Sequence, residues 1–279
     1  MNSSQFEIVT TRMGELSIRD NVTQEIMHNP VGPWVEANAL YIDQSHMRRR
    51  LSEDLLTELV IFDVGLGAAA NALAALHCAR GAENRRSLRL VSFERNLELL
   101  KFALENSHHF HHFKGFEGAV QAILERGRWE EDGLIWELRH GNFLERIETE
   151  TTSAHLVFYD PYSSKKNQEM WVPEAFRKVR EKCRPDGMLL TYSRATPVRV
   201  GMLLAGFYVG VGTASGAKDE TTQACVRYED LAQPLGPAWL EKWRRSHNPN
   251  ALGASEEEFP ATQQFILRHL QFSLERRQN

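Results

Sequence analysis

Three short stretches of the chain could carry chemistry, and each closes an apolar run: Asp63-Val64-Gly65-Leu66-Gly67, Glu94, and Asp160-Pro161-Tyr162-Ser163. Gly65 and Gly67 lack a Cβ, so a ligand can come close to the backbone there, and the small, helix-forming run over residues 68–79 completes a nucleotide-site geometry. A glycine pair also suits a purely structural strand-to-helix turn. Glu94 directly follows Leu90-Val91-Ser92-Phe93, where an acidic side chain can accept both ribose hydroxyls of an adenosine; a solvated helix cap is the alternative. A full dinucleotide fingerprint needs a third glycine to pack helix on strand. Asn71 and its alanine neighbours occupy that stretch, which disfavours NAD. Asp160 places a carboxylate at the edge where substrate and cofactor would meet, although Asp-Pro can equally end a strand.

These residues need a parallel sheet to hold them together. Apolar strands are expected at 59–64, 88–93, 134–138 and 156–159, alternating with helix-length segments, and further strands at 188–192, 207–211 and 222–226. That gives an α/β fold with a mostly parallel seven-stranded sheet and helices on both faces. Gly187 is expected as a turn before the fifth strand, and Thr196-Pro197 as a helix start. Residues 6–10 and 16–19 read as a β-hairpin ahead of the main domain. The tail carries Trp239, Trp243, Phe265, Ile266, Leu267, Leu270 and Leu274, spaced mostly as one helical face that would dock on the domain. The expected division is an amino-terminal extension at 1–58, a core at 59–233 and a docking segment at 234–279.

Composition sets the limits. Hydrophobic residues at 42% and charged residues at 25% are globular values, and no run approaches the roughly 18 apolar residues of a membrane span. A cytoplasmic location without membrane contact is the expectation. A net charge of −4 gives no bulk attraction to nucleic acid, though a local basic surface is compatible with it. Cys78, Cys183 and Cys225 lie far apart without metal-ligand spacing. His108, His109, His111 and His112 cluster, but Phe110 and Phe113 interrupt them, and they read as structural or solvated; no metal is expected.

An acidic Gly-x-Gly loop paired with an acidic end to the second strand resembles the class I, Rossmann-like S-adenosylmethionine methyltransferases. That resemblance implies S-adenosylmethionine as cofactor, with Gly65 and Gly67 skirting its methionine part, Glu94 on the ribose, and Asn142 and Phe143 flanking the adenine. Related enzymes commonly have Asp where Asn142 stands; its carbonyl oxygen can still accept from the exocyclic amine. Asp160 is then the catalytic candidate, because methylating an amine needs a freed lone pair and a carboxylate can orient the nitrogen or take its proton.

A longer match is more specific. Asp160-Pro161-Tyr162-Ser163-Ser164-Lys165-Lys166-Asn167-Gln168-Glu169-Met170-Trp171 resembles the Asp-containing, Lys-Asn-Pro-Glu-Met-Trp segment of the MnmC-like methyltransferases of tRNA 5-methylaminomethyl-2-thiouridine biosynthesis. Gln24-Glu25-Ile26-Met27-His28 with Gly32 and Glu36, Gly65-Leu66-Gly67 with Asn71, and Trp239-Leu240-Glu241-Lys242-Trp243 extend the similarity over most of the chain. It implies an N-methyltransferase, in stand-alone form, acting on the aminomethyl group of a tRNA wobble uridine. His28 falls in a family-like segment and is expected either at the substrate pocket or as a satisfied structural histidine. Gln168 stands where relatives commonly have proline, and Asp160-Pro161-Tyr162-Ser163-Ser164 where they have an Asp-Gly-Phe-Ala-Pro-like sequence. Asp-Pro-Tyr is also similar to a shortened Asp-Pro-Pro-Tyr loop of nucleobase amino-group methyltransferases, in which an aromatic such as Tyr162 stacks on a flipped base. Another nucleobase, protein or small-molecule amine is the alternative acceptor, and a non-catalytic cofactor-binding protein is the third reading.

Overall fold

The computed structural model describes residues 5–27, 31–54, 56–214 and 219–275, with side chains to residue 273. Strand β4 (Leu59–Val64) is buried along its whole length, and its side chains divide between two cores. Leu59 and Ile61 enter one core with Leu73, Leu88 and Trp136, while Val60, Phe62 and Val64 enter the other with Phe143, Phe176 and Leu189. This two-sided burial is why the run is continuously apolar, Asp63 excepted, rather than alternating.

The amino-terminal strands β1 (Phe6–Thr10), β2 (Leu16–Asp20) and β3 (Glu25–Ile26) form a separate three-stranded sheet. The expected hairpin is present as β1 paired antiparallel with β2. After β4 come β5 (Leu88–Glu94), β6 (Arg128–Glu131), β7 (Leu134–His140), β8 (Ala154–Tyr159), β9 (Cys183–Thr191), β10 (Tyr208–Gly212) and β11 (Thr221–Cys225). The main sheet runs β10-β11-β9-β8-β4-β5-β7-β6. From β9 to β7 neighbouring strands are parallel; β11 lies antiparallel between β9 and β10, and β6 is an antiparallel edge.

The main sheet therefore has eight strands, not the expected seven. The extra one, β6, reads Arg-Trp-Glu-Glu and is largely exposed, so it carries no apolar pattern to betray it. Gly187 is not a turn before β9 but a residue within it. The register of β9 against β8 shifts between Ala154 and Leu156, and a Cβ at Gly187 would stand 2.8 Å from both Arg184 O and Cys183 Cβ, so this irregular stretch needs glycine.

The tail docks, but not as one stripe. It breaks at His269 into helices Phe259–Arg268 and Leu270–Glu275. Ile266 and Phe272 are buried, whereas Phe265 and Leu270 face solvent; the Leu274 side chain lies outside the described residues. Buried Gln271 fixes the tail to the sheet edge: its Oε1 accepts from Val209 N at 2.7 Å, and its Nε2 donates to Val209 O at 2.7 Å and Leu235 O at 2.8 Å. The β10 edge is thereby covered. Among the described residues no helix is long and apolar enough to cross a membrane.

Candidate active site

The carboxyl ends of β4, β5, β7 and β8 open into one cavity of roughly 900 Å³, within the size range of cofactor and substrate sites. Gly65, Gly67, Glu94, Asn142, Phe143, Asp160 and Tyr162 all line it. His28 lies outside the described residues, although its neighbour Met27 lines the cavity.

The two glycines have different jobs. Gly65 has φ +89°, and a Cβ there would stand 2.6 Å from Asp160 O, 2.9 Å from Asp160 C and 3.0 Å from Pro161 Cα. The side a Cβ would occupy faces the loop that carries Asp160, while the residue itself lines the cavity. Gly67, at φ +53°, meets no protein atom nearer than Leu99 Cδ2 at 3.8 Å, so the space on its open side belongs to the cavity.

Glu94, the last residue of β5, is held by three backbone N–H groups. Its Oε1 accepts from Arg95 N at 2.8 Å and Asn96 N at 2.9 Å, and its Oε2 from Gly67 N at 3.1 Å. A carboxylate offers about four acceptor positions. The remaining one, on Oε2, leaves room for one further donor, whereas the expected helix cap is not formed: the helix Glu98–Glu105 has Leu97 at its N-cap and no side-chain cap. Glu94→Ala is expected to weaken S-adenosylmethionine binding by about 1–3 kcal/mol in calorimetry, with a melting curve to separate loss of the Gly67 loop from loss of the contact. Unchanged affinity in the folded variant would take Glu94 out of the cofactor site.

Asn142 caps the helix Phe143–Thr149, its Oδ1 accepting from Leu144 N at 2.9 Å. An adenine amine would have to share that oxygen, while the Nδ2 hydrogens suit a ring nitrogen. Phe143 is nearly buried, edge-on to Phe93 at 5.2 Å, and presents only its margin to the cavity.

Asp160 follows β8 and is held at its backbone and at one carboxylate oxygen. Its N donates to Val64 O at 2.9 Å, and its Oδ2 accepts from Asn71 Nδ2 at 2.7 Å. The next three carbonyls are also held: Pro161 O by the Tyr192 hydroxyl at 3.1 Å, Tyr162 O by Trp171 Nε1 at 2.9 Å, and Ser163 O by Lys166 N at 2.8 Å and Asn167 N at 2.9 Å. Ser163 Oγ in turn donates to Glu25 Oε1 at 2.6 Å, which ties the amino-terminal sheet to the cavity wall. Burial raises the Tyr162 hydroxyl above the usual tyrosine range, with Asp20 and Glu94 adding to the shift, and the residue remains about one-third exposed at the mouth (36%).

The cavity's carboxylates also act on buried groups behind its lining. Burial raises the Asp63 carboxyl to about 7, with Asp160 and Glu94 adding to the shift and the Ser92 hydroxyl, 2.7 Å away, opposing it. Tyr41, buried in a π-helical turn (Asn38–Asp43), has its hydroxyl raised well above the usual tyrosine range by burial, then by Asp160 and Glu36. The carboxylates that line the cavity, Glu25, Glu36, Glu94, Asp160 and Glu169, favour a cationic guest. The histidine cluster is not part of this site: His112 is buried and stacked on Trp34 at 5.9 Å, and no metal-ligating group of three is found among the described residues.

Sequence reasoning passed over Asn71 as a partner of Asp160, Glu25 as an anchor and Trp171 as a loop clamp. All three sat in family-like segments, but their roles depend on contacts between distant parts of the chain.

The sheet order, the glycine turn after β4 and the acidic end of β5 define an S-adenosylmethionine-dependent methyltransferase of the class I fold, and residues 119–227 match the family described as S-adenosyl-L-methionine-dependent methyltransferase. More particularly, the chain is MnmC-like. It is 26% identical over 202 residues to the tRNA 5-methylaminomethyl-2-thiouridine biosynthesis bifunctional protein MnmC of Cupriavidus necator, covering 68% of this chain and 30% of that protein. To the MnmC of Dichelobacter nodosus it is 27% identical over 215 residues, covering 70% and 33%. The chain thus spans about a third of the length of these curated relatives. The crystal structure of MNMC2 from Aquifex aeolicus superposes with a TM-score of 0.74 at 22% identity, covering 96% of this chain and 85% of that one, which establishes the shared fold.

Proposed function

We propose that this methyltransferase acts on a primary amine, the aminomethyl group of a tRNA wobble uridine, in the cytoplasm. The observation that carries the reading is Asp160, held by Asn71 at the end of β8 beside the Gly65–Gly67 turn, in a cavity also lined by Glu25 and Glu36. S-adenosylmethionine supplies a sulfonium methyl whose leaving group is a neutral thioether. Asp160 orients the ammonium nitrogen and takes one of its protons, freeing the lone pair. Gly67 and Glu94 hold the methionine and ribose parts, Asn142 and Phe143 the adenine, and Tyr162 offers a face to the uracil ring.

A tRNA acceptor is supported by the name that the MnmC relatives carry. It is also supported by exposed Lys165 and Lys166, the latter on the cavity lining, which suit an RNA backbone despite the net charge of −4. In this reading residues 1–58 wall the substrate side, 59–233 form the catalytic core and 234–279 brace its edge.

Incubation with tritiated S-adenosylmethionine and bulk tRNA, protein or small-molecule fractions tests the acceptor. Label is expected in tRNA and, after digestion, in a 5-methylaminomethyluridine-type nucleoside. Label confined to the protein or small-molecule fraction would replace this acceptor.

A further inference from the structure

Arg95 and Glu169 both line the cavity, and their side chains meet as an ion pair, Arg95 Nη1 to Glu169 Oε1 at 3.8 Å. The two residues come from opposite walls. Arg95 follows β5, and its backbone N donates to Glu94 Oε1 at 2.8 Å, while Glu169 lies in the short helical turn Gln168–Trp171 that follows the β8 loop. Strand β4 stands between β5 and β8 in the sheet, so the pair reaches across the carboxyl end of β4, where the Gly65–Gly67 turn lies. It also crosses from one face of the sheet to the other. Leu99, on the helix that follows Arg95, is buried in the core that holds Leu73, whereas Met170 and Trp171, directly after Glu169, are buried in the core that holds Phe143. Gly67 N donates to Glu94 Oε2 at 3.1 Å, so a ligand held by Gly67 and Glu94 sits beside one footing of the pair.

We infer that the Arg95–Glu169 pair is a strap across the cofactor channel, one that slows the entry and the exit of S-adenosylmethionine alike. The inference rests on the placement of the cofactor at Gly67 and Glu94 given above and is independent of the acceptor. Both side chains are largely exposed, at 76% and 51%. In water such a pair is weak, is screened by salt, and opens and closes far faster than a bound cofactor leaves. It therefore acts through the fraction of time it is closed, which limits the effect to roughly two- to fivefold. The pair joins two protein side chains and not the cofactor. It slows both directions by one factor and leaves the affinity where it was.

A strap of this strength suits a cofactor that must be exchanged at every turnover, since a strong latch would make product release limiting. Simple charge effects predict a different pattern. S-adenosylmethionine carries a sulfonium, an ammonium and a carboxylate, and so a net positive charge. Removing the charge of Arg95 would then tighten its binding, and removing that of Glu169 would loosen it. The strap predicts the same sign in both variants, because either loss opens the same pair.

The test uses the full chain and tritiated S-adenosylmethionine, following association and then dissociation under a chase of unlabelled cofactor by rapid filtration. Arg95→Gln, Glu169→Gln, their double variant and the exchanged pair Arg95→Glu with Glu169→Arg are compared, with melting curves to check the fold. Each single variant is expected to speed both steps roughly two- to fivefold with the equilibrium affinity unchanged. The double variant should be no faster than either single one, and the exchanged pair should return toward wild type. Raising the ionic strength should speed exchange in wild type and have a smaller effect on the glutamine variants. Wild-type rates in all the folded variants overturn the inference. So do opposite changes of affinity in the two single variants, which would assign both residues to the general field of the cavity. Glu94→Ala, measured alongside, separates the two levels: unchanged affinity there removes the cofactor from this end of the cavity and the strap with it, whereas weakened affinity there with unaltered exchange in the Arg95 and Glu169 variants overturns the strap alone.

Discussion

Gly65→Ala is expected to lower thermal stability and to slow methyl transfer together, because one added carbon meets the backbone that carries Asp160. The Cβ would lie 2.6 Å from Asp160 O and 2.9 Å from Asp160 C, and neither atom is the end of a flexible side chain. The φ of +89° adds its own strain for any residue with a Cβ. Together these should cost about 2–4 kcal/mol, and Asp160, displaced by a fraction of an ångström or more, should lose roughly 100-fold in single-turnover rate. Gly67→Ala is the internal control. With 3.8 Å to its nearest protein neighbour, its stability cost is limited to the left-handed backbone, about 1 kcal/mol, and its effect should fall on cofactor affinity. Melting curves and single-turnover rates on both variants decide the matter. A Gly65→Ala protein with the stability and rate of wild type would show that the two loops are not in the contact described.

That contrast marks what the residues alone could tell. Strand β4 was legible because two covered faces impose an unbroken apolar run on it, and Asp160 because a carboxylate follows an equally buried strand. Strand β6 was hidden because an exposed edge strand with a single neighbour needs no apolar side chains, and β3 because two residues form no pattern at all. Gly65 looked like a place for a ligand. It lines the cavity, but its open side is also a place for another loop, since a glycine's lack of Cβ does not say which neighbour benefits. Asn71 stood out as the missing third glycine and as part of a family-like segment, but not as a partner of Asp160. Its hydrogen bond to Asp160 spans 89 residues of sequence, and nothing local in a run of alanines announces that distance.

The same separation explains how the site is made rigid. Carbonyls 161–163 are held by Tyr192, Trp171 and the backbone of the turn itself, while the Asp160 side chain is held by a helix from the other side of the sheet turn. No single segment contains the site, so each clamp trades local independence for a fixed position of one carboxylate. The amino-terminal sheet completes this through Glu25 and Ser163, which makes the extension part of the cavity wall rather than an appendage.

The largest effect is expected from Asp160→Asn, with a fold close to wild type. The substituted amide can turn its oxygen toward Asn71 Nδ2 and keep that hydrogen bond, so melting should change little. Removing the charge also relaxes its neighbour: Asp160 helps to raise Asp63 to about 7, so the Asp63 carboxyl should titrate lower in the variant, though burial, the larger cause, keeps it above an ordinary aspartate. Cofactor affinity should be largely retained. In the proposed reaction, methyl transfer to aminomethyl tRNA should fall about 100- to 10,000-fold at neutral pH, because the ammonium would lose the group assigned to take its proton. Only the amine already deprotonated in solution can then react, and below the amine's own pKa that fraction rises about tenfold per pH unit. The ratio of wild-type to variant single-turnover rates should therefore shrink as pH rises. A large ratio that stays constant with pH would assign Asp160 to orientation rather than proton transfer, and equal rates at every pH in the folded variant would remove it from the reacting centre.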